Sequence, residues 1–316
     1  FLLLTGNSTE IQSRLFLRSQ QISRAPFTPM TADGALNLAA VEPYADLLAA
    51  SGVKGVFICG TTGESASLTT DERRAVAEAW VAAAAGRLKV IVHVGSNCAA
   101  DAIALAQHAE RSGADAIGAM APYFFKPQTA AELVAWFTPI ANSNSLPFYY
   151  YNMPSMSGVS VSVPEFLALG GKAMPTLAGV KFTHNNLMEM SQCLMLDGGR
   201  YEVLHGYDEI LLCGLSLGAT AAVGSTYNYA AKVYNRLLDA FRAGDIAAAA
   251  KLQQYSVKIV EVIIRHGGGV RGGKAIMRLV GVDCGSCRLP LAPFTEAEYA
   301  CLKAELDAID FFNRIK

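Results

Sequence analysis

Leu177-Ala178-Gly179-Val180-Lys181-Phe182-Thr183 is a short, almost wholly apolar run with one lysine in its middle. Runs of this length and composition form strands buried on both faces of a parallel sheet. Fully buried lysines are rare, because desolvating an ammonium is costly unless the group is paired or gives up its proton. The free amine is a nucleophile that attacks a carbonyl to form a Schiff base. A lone lysine in such a run has a plainer alternative: it ends the strand and reaches water. The surroundings decide between the two readings for Lys181.

Similar runs recur along the chain at residues 22–26, 55–59, 89–94, 116–121, 147–151, 178–182, 202–205 and 220–224. Adjacent runs lie roughly 20 to 35 residues apart, the length of a βα unit. Alanine-rich stretches with charges on one face fall between them at residues 36–50, 70–85 and 99–112 and read as helices. Thr69-Thr70-Asp71-Glu72 offers hydroxyls and acids where a helix's first N–H groups need acceptors. Ser112-Gly113 and Ala243-Gly244 read as helix stops. Strands alternating with helices predict an α/β fold, a (β/α)8 TIM barrel, over residues 21–243. A doubly wound sheet usually carries a glycine-rich phosphate loop after its first strand, and Pro26-Phe27-Thr28-Pro29 stands there instead. Beyond Gly244 the pattern is helical at residues 245–266, 271–280 and 295–312, which predicts a C-terminal helical extension over residues 244–316. Gly267-Gly268-Gly269-Val270-Arg271-Gly272-Gly273 reads as a flexible connection between two of those helices. It lacks the strand that a dinucleotide fingerprint needs.

The chain has 316 residues, 52% hydrophobic and 17% charged, enough for one barrel-sized core. A formal net charge of -1 gives no reason to expect a nucleic-acid partner. No apolar run approaches the ~18 residues that span a bilayer, so no membrane partner is expected. Seven cysteines, an odd number scattered over the chain, favour a reducing compartment, and a cytoplasmic location is the expectation. Cys284-Gly285-Ser286-Cys287 is a lone C-x-x-C without a second pair or spaced histidines, so no metal site is expected. Residues 1–20 begin without methionine and are set aside as a leader or expression remnant.

In a barrel of this kind the site lies at the C-terminal ends of the strands. After the second run, Gly60-Thr61-Thr62-Gly63-Glu64 brings together two hydroxyls and several small-residue N–H groups, a cradle for carboxylate or phosphate oxygens or an ordinary capped turn. The fifth ends in Tyr149-Tyr150-Tyr151-Asn152-Met153-Pro154, where a tyrosine hydroxyl relays protons or a ring simply packs. The sixth offers Lys181 and Thr183. The seventh ends in Gly206-Tyr207-Asp208-Glu209, whose acids bind sugar hydroxyls at the rim or cap the next helix. The eighth ends in Gly224-Ser225-Thr226-Tyr227-Asn228.

Taken together, Gly60-Thr61-Thr62-Gly63-Glu64, Tyr151-Asn152-Met153-Pro154, Gly179-Val180-Lys181-Phe182-Thr183 and Gly224-Ser225-Thr226-Tyr227-Asn228 carry a family resemblance. From about residue 25 to the C-terminal helices, the chain resembles the pyruvate-dependent class I aldolases related to N-acetylneuraminate lyase and dihydrodipicolinate synthase. The resemblance implies that Lys181 forms the Schiff base with the C2 carbonyl of a pyruvate unit. It implies that Thr61 and Thr62 hold the pyruvate carboxylate and that Tyr151 transfers protons, so Lys181, Tyr151 and Thr62 form the expected catalytic set. Thr183, Gly206, Asp208, Glu209 and Ser225 complete the implied substrate site, and neither metal nor organic cofactor is implied.

The synthases have an arginine after the tyrosine–asparagine–proline segment that grips a second carboxylate. Here Met156 stands there, and a thioether cannot pair with a carboxylate. Gly206-Tyr207-Asp208-Glu209 and Ser225 instead resemble the branch that meets the polyhydroxyl tail of sialic acid. The expected activity is therefore reversible cleavage of N-acetylneuraminate to N-acetylmannosamine and pyruvate. An aldolase for another 2-keto-3-deoxy sugar acid and a non-catalytic sugar-sensing paralogue are the alternatives. Many members carry a tyrosine after the fourth strand that enters a neighbouring subunit's site. Phe124 matches that position, so neither Tyr123 nor Phe124 is assigned a role, and a homotetramer is implied by the resemblance alone.

Overall fold

The computed structural model describes residues 21–316, and the leader assigned to residues 1–20 lies outside the described residues. The apolar runs form strands β1 (Gln21–Arg24), β2 (Gly55–Ile58), β3 (Lys89–His93), β4 (Ala116–Met120), β5 (Phe148–Asn152), β6 (Leu177–Phe182), β7 (Glu202–His205) and β8 (Ala221–Gly224). All pair in parallel, each with the next in sequence, and β8 closes on β1 as a barrel. Around it run α1 (Val41–Ala50), α2 (Thr70–Ala84), α3 (Ala99–Arg111), α4 (Ala130–Ala141), α5 (Pro154–Ser157), α6 (Val163–Ala173), α7 (Leu187–Met195), α8 (Leu211–Ser216) and α9 (Tyr227–Arg242). The predicted TIM barrel is the observed fold.

Local chemistry sets the helix ends. Thr69 and Glu72 form a reciprocal capping box at the start of α2. Gly113 and Gly244 take left-handed φ values of 85° and 77° just past α3 and α9, where a side chain would be strained. The first helix begins later than the alanine pattern predicts, because Leu36 pairs with Met30 in an isolated bridge and a single 3-10 turn precedes α1.

The C-terminal extension is helical as predicted: α10 (Ile246–Arg265), α11 (Gly268–Leu279), α12 (Glu296–Ala308) and α13 (Phe311–Arg314). Its glycine-rich stretch is a correction. Residues 268–273 are not a flexible connection but the first turns of α11. Packing explains the glycines there: a Cβ on Gly272 would lie 3.0 Å from the Ile263 carbonyl oxygen, and one on Gly273 2.8 Å from the Phe27 ring. Missing side chains let α11 lie directly on α10 and on the segment after β1. Among the described residues no helix is long and apolar enough to cross a membrane, and all seven cysteines are unpaired.

Two apolar cores are separated by the barrel wall. The outer one lies between strands and helices and includes Phe137, Phe148, Tyr150 and Phe166; the inner one holds Phe57, Ile91, Tyr149, Tyr151 and Leu204. Strand alternation should place every second residue inside. On β6 it is interrupted. Phe148 pairs with Leu177, but Tyr149 pairs with Gly179, so Ala178 is an extra residue on β6. Leu177, Val180 and Phe182 face the outer core, whereas Ala178 faces inward. Counting by twos from Leu177 would have sent Lys181 outward with it; the bulge puts Lys181 inside, paired with Tyr151. A Cβ on Gly179 would fall 2.0 Å from the Glu202 carbonyl oxygen of β7, so only glycine fits the bulge. Backbone cannot swing aside as a side chain can. Gly179→Ala should therefore cost about 1–3 kcal/mol or more and lower the Tm by on the order of 5 °C. A thermal melt checks it, and an unchanged Tm would mean that the bulge accepts a side chain.

Candidate active site

A cavity of about 330 Å³ opens at the C-terminal ends of the strands, with Lys181 among its lining. Lys181 is only 4% exposed. Its Nζ lies 3.7 Å from the centre of the Tyr151 ring and 4.6 Å from that of Phe57. Among the described residues no carboxylate pairs with it, so the amine faces aromatic rings and the cavity rather than a fixed anion. The plainer reading, a strand-ending lysine in water, is thereby excluded.

The Tyr151 hydroxyl also reaches the cavity. It lies 3.2 Å from the Thr61 hydroxyl and 2.9 Å from Met153 Sδ, to which it donates. His93 stands edge-on to the Tyr151 ring, and its Nε2 accepts the Met120 N–H at 3.1 Å. Burial, and then the positive charges of Arg73 and Lys181, hold His93 well below the usual histidine range. It packs behind Tyr151 as a neutral ring and is not an acid at neutral pH.

Thr61 and Thr62 sit on the turn that links β2 to α2. The Glu64 N–H donates to the Thr61 carbonyl at 3.0 Å, and the Thr28 hydroxyl donates to the Gly63 carbonyl at 2.7 Å. Both threonines line the cavity, and the Thr61 hydroxyl, beside that of Tyr151, also donates to Met153 Sδ at 3.5 Å.

The opposite side is polar through Thr183, Asp208, Glu209 and Ser225, with Gly206 beneath. Two of these carry buried oxygens without a protein partner: Thr183 Oγ1 and Asp208 Oδ1. Such atoms are costly unless something else bonds them, which marks this wall as a ligand surface. Glycines make room for both. A Cβ on Gly206 would lie 1.9 Å from Thr183 Oγ1, and one on Gly224 1.6 Å from Asp208 Oδ1.

Asp208 departs from the rim position expected for it. It is buried, 5% exposed, and its Oδ2 accepts both the N–H and the hydroxyl of Thr226 at 2.9 and 2.6 Å. One oxygen thus ties the loop after β7 to the start of α9, while the other is buried near the Tyr227 hydroxyl and Gly224. Glu209 is partly exposed and stands nearer the mouth. Burial raises the pKa of both acids; for Asp208 the bonds from Thr226 oppose it. Neither acid caps its own helical turn.

Sequence reasoning missed one wall. Val260, Ile263 and Ile264 of α10, with Gly269 and Val270 of α11, line the cavity from the C-terminal extension. Reading strand ends cannot find them, since nothing local says which helix covers the barrel mouth. Met156 also lines the cavity. Phe124 and Phe125 do not; they are 75% and 86% exposed, on a loop whose Tyr123 and Phe124 N–H groups donate to Asn97 Oδ1.

Elsewhere, His266, Cys301 and Glu305 bring possible metal-ligand atoms within 4.8 Å of one another. Arg265 occupies Glu305 at 2.7 Å, and Arg271 donates to the His266 carbonyl. Two guanidinium groups beside the cluster oppose a divalent cation there.

A parallel (β/α)8 barrel that aims one buried, unpaired lysine into a cavity lined by a tyrosine and several hydroxyls is built for lysine-dependent carbonyl chemistry. Comparison with known proteins agrees. The profile of the Dihydrodipicolinate synthetase family matches residues 18–309, and the chain belongs to that family. It is 42% identical over 294 residues to N-acetylneuraminate lyase of Mus musculus, covering 92% of each chain. Among solved structures it superposes on Proteus mirabilis N-acetylneuraminate lyase with a TM-score of 0.90 at 40% identity, over 93% of this chain and 99% of that one. It also matches a dihydrodipicolinate synthase from Bacillus anthracis, with a TM-score of 0.86 at 28% identity, over 92% and 99% of the two chains.

Asp208 makes the site's electrostatics measurable. The folded chain binds its proton more tightly than the unfolded chain does, since its pKa is raised above 3.8. Stability must then fall as pH rises from that value through the raised one. Asp208→Asn removes this dependence. Thermal melts of the parent and Asp208→Asn from about pH 4 to about pH 8 should show the Tm difference moving in the variant's favour as pH rises. A difference flat with pH would contradict the buried-carboxylate assignment.

Proposed function

We propose that this chain is a Schiff-base aldolase that reversibly cleaves N-acetylneuraminate to N-acetylmannosamine and pyruvate. The observation that carries the reading is the Lys181 amine, buried without an anionic partner and set against Tyr151 inside the cavity. The neutral amine adds to the C2 carbonyl of the open-chain sugar acid, and uptake of one proton with loss of water leaves a protonated imine. That imine draws the electron pair of the C3–C4 bond as the C4 hydroxyl loses its proton. The bond breaks, N-acetylmannosamine leaves as the aldehyde, and the three-carbon fragment stays on Lys181 as an enamine. Protonation at C3 and hydrolysis release pyruvate and regenerate the amine.

Tyr151 carries the protons in this reading, supported by its hydroxyl's place beside Thr61 and by its ring's place against the Lys181 amine. Thr61 and Thr62 receive the carboxylate, with the N–H groups of their turn. The sugar tail lies along Thr183, Gly206, Asp208, Glu209 and Ser225, where the orphaned oxygen of Thr183 and the acids of that wall pair with its hydroxyls. Hydroxyl-bonding groups on that wall and Met156 in place of an arginine favour a sugar acid over a second carboxylate substrate. The homotetramer implied by the family resemblance stays a proposal, to which the exposed Phe124 and Phe125 lend an apolar surface. So does a cytoplasmic location, for which the unpaired thiols Cys98, Cys213 and Cys301 are the support.

Two measurements test the chemistry. Pyruvate with borohydride should fix a secondary-amine adduct on Lys181, mapped by mass spectrometry, and pyruvate should be released from N-acetylneuraminate faster than from other 2-keto-3-deoxy sugar acids. An adduct on Lys172 or Lys232, or a preference for another sugar acid, would overturn the assignment. Tyr151→Phe removes one hydroxyl at nearly constant volume and should lower kcat by roughly 10²–10⁴-fold. A change confined to KM would make Tyr151 a binding residue only.

A further inference from the structure

The turn that carries Thr61 and Thr62 is fixed from outside the barrel. Its last residue, Glu64, is buried, and its Oε1 pairs with Lys274 Nζ of α11 at 2.9 Å; the two side chains are 2% and 1% exposed. The other carboxylate oxygen accepts the Arg288 N–H at 3.0 Å, and Lys274 also donates to the Ser286 carbonyl at 2.9 Å. Residues 284–288 are anchored in turn. The Cys284 carbonyl accepts the Met30 N–H, and the Arg288 guanidinium donates to the carbonyls of Gly34 and Ser67 and to Glu72. Glu64 itself sits in the left-handed region at φ 55°, which a residue with a Cβ resists, so the turn needs restraint.

A buried ion pair is a poor device for stability alone, because apolar side chains of the same volume serve as well or better. What it does provide is a fixed distance and direction between two segments. Lys274 is not a second nucleophile: its amine is held by two acceptors, and it does not line the cavity. We propose that Lys274, acting through Glu64, is the positioning residue of the carboxylate cradle, so that the C-terminal extension sets the affinity for the pyruvate end of the substrate. The proposal rests on the reading of Thr61 and Thr62 as the carboxylate's holders.

Borohydride trapping of pyruvate separates the roles. The half-saturating pyruvate concentration reports the cradle, and the maximum adduct reports Lys181. Lys274→Met leaves Glu64 buried without its partner and should lower the Tm by on the order of 10 °C. The double variant Glu64→Gln/Lys274→Met removes both charges at similar volume and should recover most of that Tm. If the pair positions the cradle, half-saturation in the double variant still rises about tenfold, the equivalent of one well-placed hydrogen bond to a carboxylate, with the maximum adduct unchanged. Recovered Tm with half-saturation at the parent value overturns the proposal. Should the double variant not fold, Glu64→Gln alone keeps the side chain's size and its bond from the Arg288 N–H; a rise supports the proposal and the parent value overturns it. Thr62→Val is the control. If it leaves half-saturation unchanged, the cradle reading falls and the proposal with it; if it raises half-saturation while the pair variants do not, only the positioning role falls.

Discussion

Neighbouring parallel strands keep a common face only while their register runs true. Between β5 and β6 it steps by one residue at Ala178. That step turns the end of β6 over, bringing Lys181 from the outer core to the inner one and setting it beside Tyr151. The closed barrel then holds the arrangement, because neither strand has a free edge along which to slip. A lysine on a loop would have been harder to bury.

Around that lysine a mostly apolar cavity carries polar groups at a few places. Burial, and then the Arg73 charge, keep His93 neutral behind Tyr151. Across the cavity lies the Asp208 carboxyl group, one oxygen engaged by Thr226 and the other buried near the Tyr227 hydroxyl. Orphaned oxygens on Thr183 and Asp208 are tolerable in a folded chain only if a ligand or solvent bonds them. The glycines opposite them, Gly206 and Gly224, are the complementary half of the design, since any side chain there would fill the space those oxygens occupy.

The C-terminal extension completes the site from two directions. Helices α10 and α11 close one side with Val260, Ile263 and Ile264, which narrows the cavity's access to water. Through Lys274 and the segment 284–288, the same extension clamps the turn after β2. A barrel of short strands fixes residues on the strands well and residues on loops poorly. The loops here borrow rigidity from a second layer of structure.

The barrel was legible in the sequence because its signals are local. Apolar runs at βα spacing, the Thr69–Glu72 capping box and the Gly113 and Gly244 stops each depend on neighbours within a few residues. Strand-end residues could be listed for the same reason, and the cavity brings together Thr61, Thr62, Tyr151, Lys181, Thr183, Gly206, Asp208, Glu209 and Ser225. Orientation was not legible. Whether Lys181 faces in or out depends on a bulge that exists only in the pairing of β6 with β5, and Ala178-Gly179 looks like ordinary strand until that pairing is seen. Nor could the glycines of residues 267–273 announce themselves as a packing surface, since what they exclude is a clash with Phe27 and Ile263, far away in sequence. Asp208 was expected at the rim and is buried because its partner Thr226 comes from the next βα unit. Sequence determined which groups the barrel presents; contacts between distant segments decided where each one points, because a side chain's direction belongs to a pair of backbones and not to one.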